Sequence, residues 1–202
     1  MSDSEMNRRE SAYQKMFNAW DAGEHAYALE LSRELLHDFP DFKIGRIVQG
    51  AILYELARYA EAEEILYATV EDLSAESKDH GYIQLGHLFR EKGDYESAGK
   101  WYRKAIELDP LDAGRHIFLG LVLAKSGNLN VAEEVHRQAT QCSKGAIDEA
   151  YLNLGLVLRA QERYQEALEC FEKALELSAD YRQAANARND VKKALIYLRT
   201  GE

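Results

Sequence analysis

The histidines and cysteines are the residues of this chain that could bind a metal ion or act as nucleophiles. His80 and His87 lie seven residues apart, which is two turns of a predicted helix, and His116 follows later in the chain. A zinc site needs three or four ligands converging on one point, and no carboxylate or thiol completes this set. Cys142 and Cys170 each lie on a predicted helix, where a small buried thiol is the ordinary interpretation. The sequence therefore predicts no metal ion and no other cofactor.

Sequence motifs for catalysis are absent from the chain. It contains no Gly-x-Ser-x-Gly nucleophile motif, no phosphate-binding loop and no dinucleotide-binding fingerprint. Its glycines instead recur in an internal repeat, where close helix packing explains them. We therefore predict that the protein is not an enzyme.

The composition of the 202 residues is typical of an all-α protein. Hydrophobic residues make up 46% of the chain and charged residues 30%, and only two prolines occur. The net charge of −10 argues against nucleic-acid binding, which depends on clustered lysines and arginines. No window of about 18 apolar residues occurs, and the N-terminus has no apolar run typical of a signal peptide. We therefore predict a cytoplasmic protein that binds neither nucleic acid nor membranes.

The stretch 79–112 has the pattern of a helix, a tight turn and a second helix. In the first helix, Leu85 and Phe89 are spaced four residues apart, which places them on one buried face. Gly93 supplies the turn, and Pro110 ends the second helix because proline disfavours helical geometry in the residue before it. The stretch therefore predicts a helix-turn-helix unit.

This pattern repeats along the whole chain at intervals of 34 to 36 residues. When the units are aligned, the twentieth position is always alanine, a residue small enough to let two helices approach closely. These alanines are Ala28, Ala62, Ala98, Ala132 and Ala167. The predicted units are residues 9–42, 43–78, 79–112, 113–147 and 148–181.

The two ends of the chain differ from the repeats. Residues 1–8 have no periodic pattern and are predicted to be disordered. Residues 182–200 continue the phase of a first helix but are more polar, so we predict a C-terminal capping helix that covers the last apolar face.

The repeat resembles the tetratricopeptide repeat (TPR), which defines a family of helical repeat proteins. The third unit matches the family pattern with Tyr82, Leu85, Gly86, Phe89, Ala98, Tyr102, Ala105 and Pro110. The fifth unit matches it with Tyr151, Leu154, Gly155, Leu158, Tyr164, Ala167, Phe171 and Ala174. The resemblance implies an all-α fold, a right-handed superhelical solenoid of helix-turn-helix units with a C-terminal capping helix.

In TPR proteins the first helix of each unit, helix A, lines the concave side of the solenoid. Positions 5, 9 and 12 of a unit contribute to that side, about 100° around the helix from the buried positions. In this chain most of these positions are apolar or aromatic. The resemblance therefore implies a peptide-binding groove formed by Tyr13, Phe17, Trp20, Tyr54, Ile83, His87, Arg90, Ile117, Leu121, Leu152, Leu156 and Arg159.

Two interpretations of these side chains remain open. They could form a groove for an amphipathic helix or an extended peptide, with Arg90 and Arg159 as charged anchors. They could instead pack against adjacent helices A, and for Ile83, Ile117 and Leu152 neither interpretation is preferred. Exposure in the groove is the preferred interpretation for Tyr13, Phe17, Trp20, Tyr54, His87, Arg90 and Arg159.

The sequence predicts a non-enzymatic scaffold or adaptor that binds another protein or a peptide in this groove. The alternative is a protein that self-associates through the same apolar surface, and a regulatory arm of an enzyme complex is a third hypothesis. Chaperone adaptors of the TPR family bind a C-terminal carboxylate with lysine, asparagine and arginine at defined positions. In the middle three units those positions hold Ile47, Ala51, Gln84, Gly114 and Phe118. No three consecutive units supply the cationic clamp, so we exclude a chaperone tail as the partner.

Overall fold

Eleven α-helices make up residues 2–74 and 78–201, the parts of the chain that the computed structural model describes. The first compact unit, residues 1–94, contains α1 (Asp3–Asp21), α2 (His25–Asp38), α3 (Lys43–Glu55), α4 (Tyr59–Glu71) and α5 (Lys78–Glu91). The second, residues 95–202, contains α6 (Tyr95–Leu108), α7 (Ala113–Lys125), α8 (Leu129–Ala139), α9 (Ile147–Ala160), α10 (Tyr164–Leu177) and α11 (Arg182–Thr200). No strand occurs in the described ranges, which confirms the predicted all-α fold. Residues 75–77, near the end of the predicted second unit, lie outside the described ranges.

Five of the turns between helices share one backbone geometry. Each contains one residue with a φ between 56° and 84°, namely Gly23, Ala57, Gly93, Gly127 and Glu162. The next amide in each turn donates to a carbonyl five residues earlier, as Arg58 N does to Leu53 O at 2.9 Å. This hydrogen bond satisfies a carbonyl at the helix end and stops the helix. Glycine adopts this conformation freely, whereas the side chains of Ala57 and Glu162 are strained there.

Ala57→Gly and Glu162→Gly are each expected to raise the free energy of unfolding by about 0.5–1 kcal/mol. A side chain in the left-handed region costs about 1–2 kcal/mol, and the greater freedom of glycine in the unfolded chain offsets part of the gain. Urea unfolding measures the change. Ala60→Gly, at an exposed position inside α4, is the control and should lose up to about 1 kcal/mol. A less stable Ala57→Gly variant would contradict the prediction.

Glycines on the first helix of a pair let a large side chain of the second helix lie directly against the backbone. A Cβ atom added to Gly155 would lie 2.5 Å from Cε1 of Phe171, and one added to Gly120 would lie 2.4 Å from Cε1 of His136. Both side chains are 0% exposed. In the pairs α7–α8 and α9–α10, one large side chain therefore fills the space above a glycine.

Residues 2–8, the described part of the segment 1–8 that was predicted to be disordered, are ordered instead. Helix α1 begins at Asp3, because Ser2 and Glu5 form a capping box. The Glu5 amide donates to Ser2 Oγ at 3.3 Å, and the Ser2 amide donates to Glu5 Oε2 at 2.8 Å. Arg8 adds a contact to the next helix through an ion pair with Asp38 at 3.5 Å. These polar contacts order a segment that has no apolar periodicity.

Helix α11 is long and polar, and it packs on α10 through a few small or apolar side chains up to Leu195. Its buried residues are Ala184, Ala187 and Val191, which belong to the same apolar cluster as Phe171. The helix ends where Gly201 adopts a φ of 73°. No helix of the described chain is long and apolar enough to cross a membrane.

Candidate protein-binding surface

Three aromatic side chains follow one face of α1 and form what we call the aromatic strip: Tyr13, Phe17 and Trp20. Their spacing of four and three residues places them above one another on the helix. The Phe17 and Trp20 rings meet edge to face with centroids 5.5 Å apart, and the Tyr13 and Phe17 rings are 6.2 Å apart. Phe17 is 36% exposed, while Tyr13 and Trp20 are half-buried. The strip therefore presents an ordered apolar surface that a partner can contact.

The neighbouring connection between α2 and α3 supports one end of the aromatic strip. The Phe42 ring packs edge-on against Tyr13, with centroids 5.4 Å apart. The guanidinium of Arg9 lies over the same Phe42 ring, 4.6 Å from its centroid. Burial raises the pKa of Tyr13, and the nearby Glu10 carboxylate adds to the effect, so the phenol stays neutral. The strip is thus an uncharged surface with Arg9 and Glu10 near one end.

Three residues predicted for the groove are buried instead: Tyr54, Ile117 and Leu152. For Tyr54, exposure in the groove was the preferred interpretation, and it is wrong. Tyr54 is 5% exposed, and its hydroxyl donates to Gln84 Oε1 on α5 at 2.6 Å. Ile117 and Leu152 are 1% and 4% exposed and belong to apolar clusters of the second unit. These side chains pack against neighbouring helices. A residue about 100° around its helix from the core face is still covered by the next helix. They belong to the core and cannot contact a peptide.

The predicted site residues on α5 are half-buried: Ile83, His87 and Arg90. Burial lowers the pKa of His87 to about 4, and the positive charge of Arg90 adds to the effect. The His87 imidazole is therefore neutral near pH 7. The guanidinium of Arg90 contacts the Glu91 carboxylate at 2.9 Å. These residues do not form an open apolar surface comparable to the aromatic strip.

The remaining predicted site residues of the second unit are either paired or half-buried. Arg159 Nη1 donates to Asp190 Oδ2 on α11 at 3.0 Å, so this predicted anchor already has an ion-pair partner. Leu121 and Leu156 are half-buried against apolar clusters. Sequence reasoning missed Asp190, although it is the one acidic residue in an otherwise basic helix.

The histidines and cysteines show no arrangement suited to chemistry. His116 Nδ1 lies 3.8 Å from the Cys142 thiol, but no group of three or more potential metal ligands occurs in the described ranges. Burial raises the pKa of Cys142, helped by Asp112, and burial raises the pKa of Cys170 to about 11. Both thiols are therefore protonated near pH 7 and are weak nucleophiles.

Comparison with known proteins gives two family matches and several relatives. Family models described as tetratricopeptide repeat and TPR repeat match residues 148–181 and 86–127. Human tetratricopeptide repeat protein 7A is 36% identical over 94 residues, which is 46% of this chain and 11% of that protein. The type IV pilus assembly protein PilF of Pseudomonas aeruginosa is 35% identical over 105 residues, 52% of this chain and 40% of PilF. The chain therefore spans less than half the length of these relatives.

A solved structure agrees with the fold over most of the chain. YrrB, described as a TPR protein with an unusual peptide-binding site, superposes with a TM-score of 0.61 at 19% sequence identity. The match covers 88% of this chain and 90% of YrrB. Similarity at this level shows the fold alone, and it confirms the predicted helical solenoid.

Proposed function

We propose that this chain, which belongs to the tetratricopeptide repeat family, is a non-enzymatic scaffold or adaptor that binds another protein through the aromatic strip of α1. Protein-protein interaction is the role with which the TPR fold is consistent. The observation that carries the proposal is the 36% exposure of Phe17 between two ordered aromatic rings. The five-unit division predicted from the sequence and a cytoplasmic location are part of the proposal.

The chemistry of the strip favours an apolar side chain as its ligand. An aromatic ring that is already held by its neighbours loses little conformational freedom when a partner covers it. An amphipathic helix or an extended peptide could place such a side chain on Phe17, and its polar flanks would meet Arg9 or Glu10. YrrB is described as having a peptide-binding site and PilF as an assembly protein, and we propose a similar use of the helical repeats here.

Phe17→Ala is expected to weaken partner binding by about tenfold or more, because buried aromatic anchors dominate interface energies. Affinity capture with mass spectrometry identifies the partner, and titration of that partner gives the change in affinity. The control is Tyr27→Ala, which removes another exposed aromatic side chain, on α2 and outside the strip. Far-UV circular dichroism checks that both variants keep their helices. Equal binding by the wild type and Phe17→Ala would overturn the proposal.

Self-association through the aromatic strip is the second candidate, and the exposure of Phe17 is the observation that allows it. Light scattering over a range of concentrations tests it. A Phe17→Ala variant that dissociates, together with a Tyr27→Ala variant that does not, would support it. A strictly monomeric protein at high concentration would exclude it and leave partner binding as the proposed function. The third hypothesis, a regulatory arm, would be supported by an enzyme among the captured proteins.

A further inference from the structure

The aromatic strip lies between two exposed carboxylates. Glu10 comes one turn before Tyr13 on α1, and Asp21 comes one turn after Phe17, so these side chains share one side of the helix. Both carboxylates are exposed, and neither forms an ion pair or a side-chain hydrogen bond among the described residues. The strip is therefore an apolar surface with an unpaired negative charge at each end.

Asp21 occupies a position where an acidic side chain does not stabilise its own helix. It is the last residue of α1, the end at which the helix dipole is negative, and no basic residue lies in that turn. A carboxylate at this end of a helix is unfavourable for the helix. The fold gains nothing from the Asp21 carboxylate, which points to a contact outside the chain.

The neighbouring helix α3 adds a third carboxylate towards the Trp20 end of the strip. Glu55 has the thirteenth position of the second predicted unit, as Asp21 has in the first. Equivalent positions of neighbouring helices A lie side by side in a stack of repeats. Glu55 is exposed and, within the part of the chain that the structure describes, also has no ion-pair partner. Negative charge is therefore concentrated where the strip ends at Trp20.

The basic side chains of α1 do not neutralise these carboxylates. Arg8 and Lys15 lie on the side of the helix opposite to the strip, where each is stacked on an aromatic ring, 5.2 and 5.7 Å from the ring centroid. Arg9 is on the side of the strip, but its guanidinium is stacked on Phe42 and its Nε atom is buried. α1 therefore offers a partner two exposed carboxylates beside the strip and one half-buried guanidinium.

The basic side chains of α3 are also engaged in contacts of their own. Lys43 pairs with Asp72 at 2.8 Å, and Arg46 donates to the Pro40 carbonyl. Both belong to the first turn of α3, whereas Glu55 is its last residue. The charge that a partner meets around the strip is therefore negative.

We propose that the ligand of the aromatic strip is a basic amphipathic helix of a partner protein, an inference that rests on the proposed function. Aromatic side chains spaced four and three residues apart form a ridge that fits between the side chains of a facing helix. The apolar face of the partner helix covers Phe17, and its lysines or arginines pair with Glu10 and Asp21. These two carboxylates are separated by about 16 Å along α1, or three turns. The partner helix therefore needs two basic residues three turns apart, on either side of its apolar side chains.

Two synthetic amphipathic peptides of about 18 residues, or five helical turns, test the charge preference. They share one apolar face of leucines and differ at the flanking positions, which hold lysine in one peptide and glutamate in the other. Fluorescence anisotropy with the full chain gives both affinities at about 0.15 M salt, where charges more than about 8 Å apart are largely screened. The wild type is expected to bind the lysine peptide about tenfold or more tightly than the glutamate peptide.

Charge-reversal variants assign this preference to the strip. Glu10→Lys and Asp21→Lys should each weaken binding of the lysine peptide by about fivefold or more, since each places like charges together. Glu71→Lys is the matched control: Glu71 is exposed and is the last residue of α4, as Asp21 is of α1, and both affinities should stay unchanged. Asp21→Lys should unfold at the same urea concentration as the wild type or a higher one, because a cation suits the end of a helix.

Phe17→Ala separates this inference from the proposed function, because it should weaken the binding of both peptides. Equal affinities for the two peptides, both lowered by Phe17→Ala, would overturn the basic partner and leave the strip as a binding surface. A preference for lysine that survives in the Glu10→Lys and Asp21→Lys double variant would overturn it too. So would binding of the lysine peptide that Phe17→Ala leaves unchanged, or the absence of binding by either peptide. Capture of the natural partner tests the proposed function in each of these cases.

Discussion

Phe171→Ala is expected to lower the free energy of unfolding by about 3–5 kcal/mol, the usual cost of deleting a buried aromatic ring. Phe171 is 0% exposed and lies directly against Gly155, so the truncation leaves a cavity between α9 and α10. On one side the ring lies against the backbone of α9 at Gly155, which has no side chain that could move in to fill the space. Urea unfolding followed by circular dichroism gives the difference.

The contact between Phe171 and Gly155 also predicts how their variants combine. Gly155→Ala places a Cβ atom 2.5 Å from the Phe171 ring and is expected to cost about 1–3 kcal/mol through overpacking. In the double variant the new methyl group fills part of the cavity, so the combined loss should be smaller than the sum by about 1 kcal/mol or more. Gly99→Ala is the control: its nearest atom is 3.5 Å away, and it should gain up to about 1 kcal/mol in helix propensity. Strictly additive losses would contradict the contact.

The packing of helix pairs was predictable from the sequence because it depends on contacts that repeat in every unit. All five alanines at the twentieth position are 0% exposed: Ala28, Ala62, Ala98, Ala132 and Ala167. A small residue at a fixed place in a repeat has one physical explanation, a close approach of two helices. The same logic explains Gly120 and Gly155, whose space is filled by the next helix.

The accessible surface was less predictable, because it depends on which helix happens to cover each side chain. Phe17 and Tyr54 both lie about 100° from the core face of their helices, yet Phe17 is 36% exposed and Tyr54 only 5%. Tyr54 is covered because α5 supplies Gln84 as a hydrogen-bond partner. Periodicity gives the direction of a side chain on its own helix and does not give the identity of its neighbour.

Polar contacts made by single residues were also missed, because sequence reasoning relied on the spacing of apolar residues. Ser2 and Glu5 have the spacing of a capping box and start α1 six residues before the first predicted unit. Ser32 and Gln49 form a hydrogen-bonded pair at 3.0 Å between α2 and α3, and Ser32 stands where the last unit has Phe171. In both cases the hydrogen-bonded pair is specific to one place in the chain and lies outside the pattern that the units share.

Acid is expected to destabilise the protein through His136, and His136→Phe should remove this effect. His136 is 0% exposed, and both its ring nitrogens lack a hydrogen-bond partner among the described residues. Burial lowers the pKa of His136 from 6.5 to about 4. The unfolded chain therefore takes up a proton at this histidine below pH 6.5, whereas the folded chain takes it up only near pH 4. Stability is lost as the pH falls between these values, by at most about 3 kcal/mol.

His136→Phe is expected to be more stable than the wild type by about 1 kcal/mol or more at pH 7, because two unsatisfied polar atoms leave the core. The ring should fit, since Phe171 already packs against Gly155 as His136 packs against Gly120. The advantage should grow as the pH falls towards 4. Some loss of stability in acid should remain, because burial also lowers the pKa of His87 to about 4. Urea unfolding at several pH values measures this slope, and the reciprocal Phe171→His variant should steepen it. An unchanged slope in His136→Phe would show that His136 takes up its proton at the same pH in the folded and the unfolded chain.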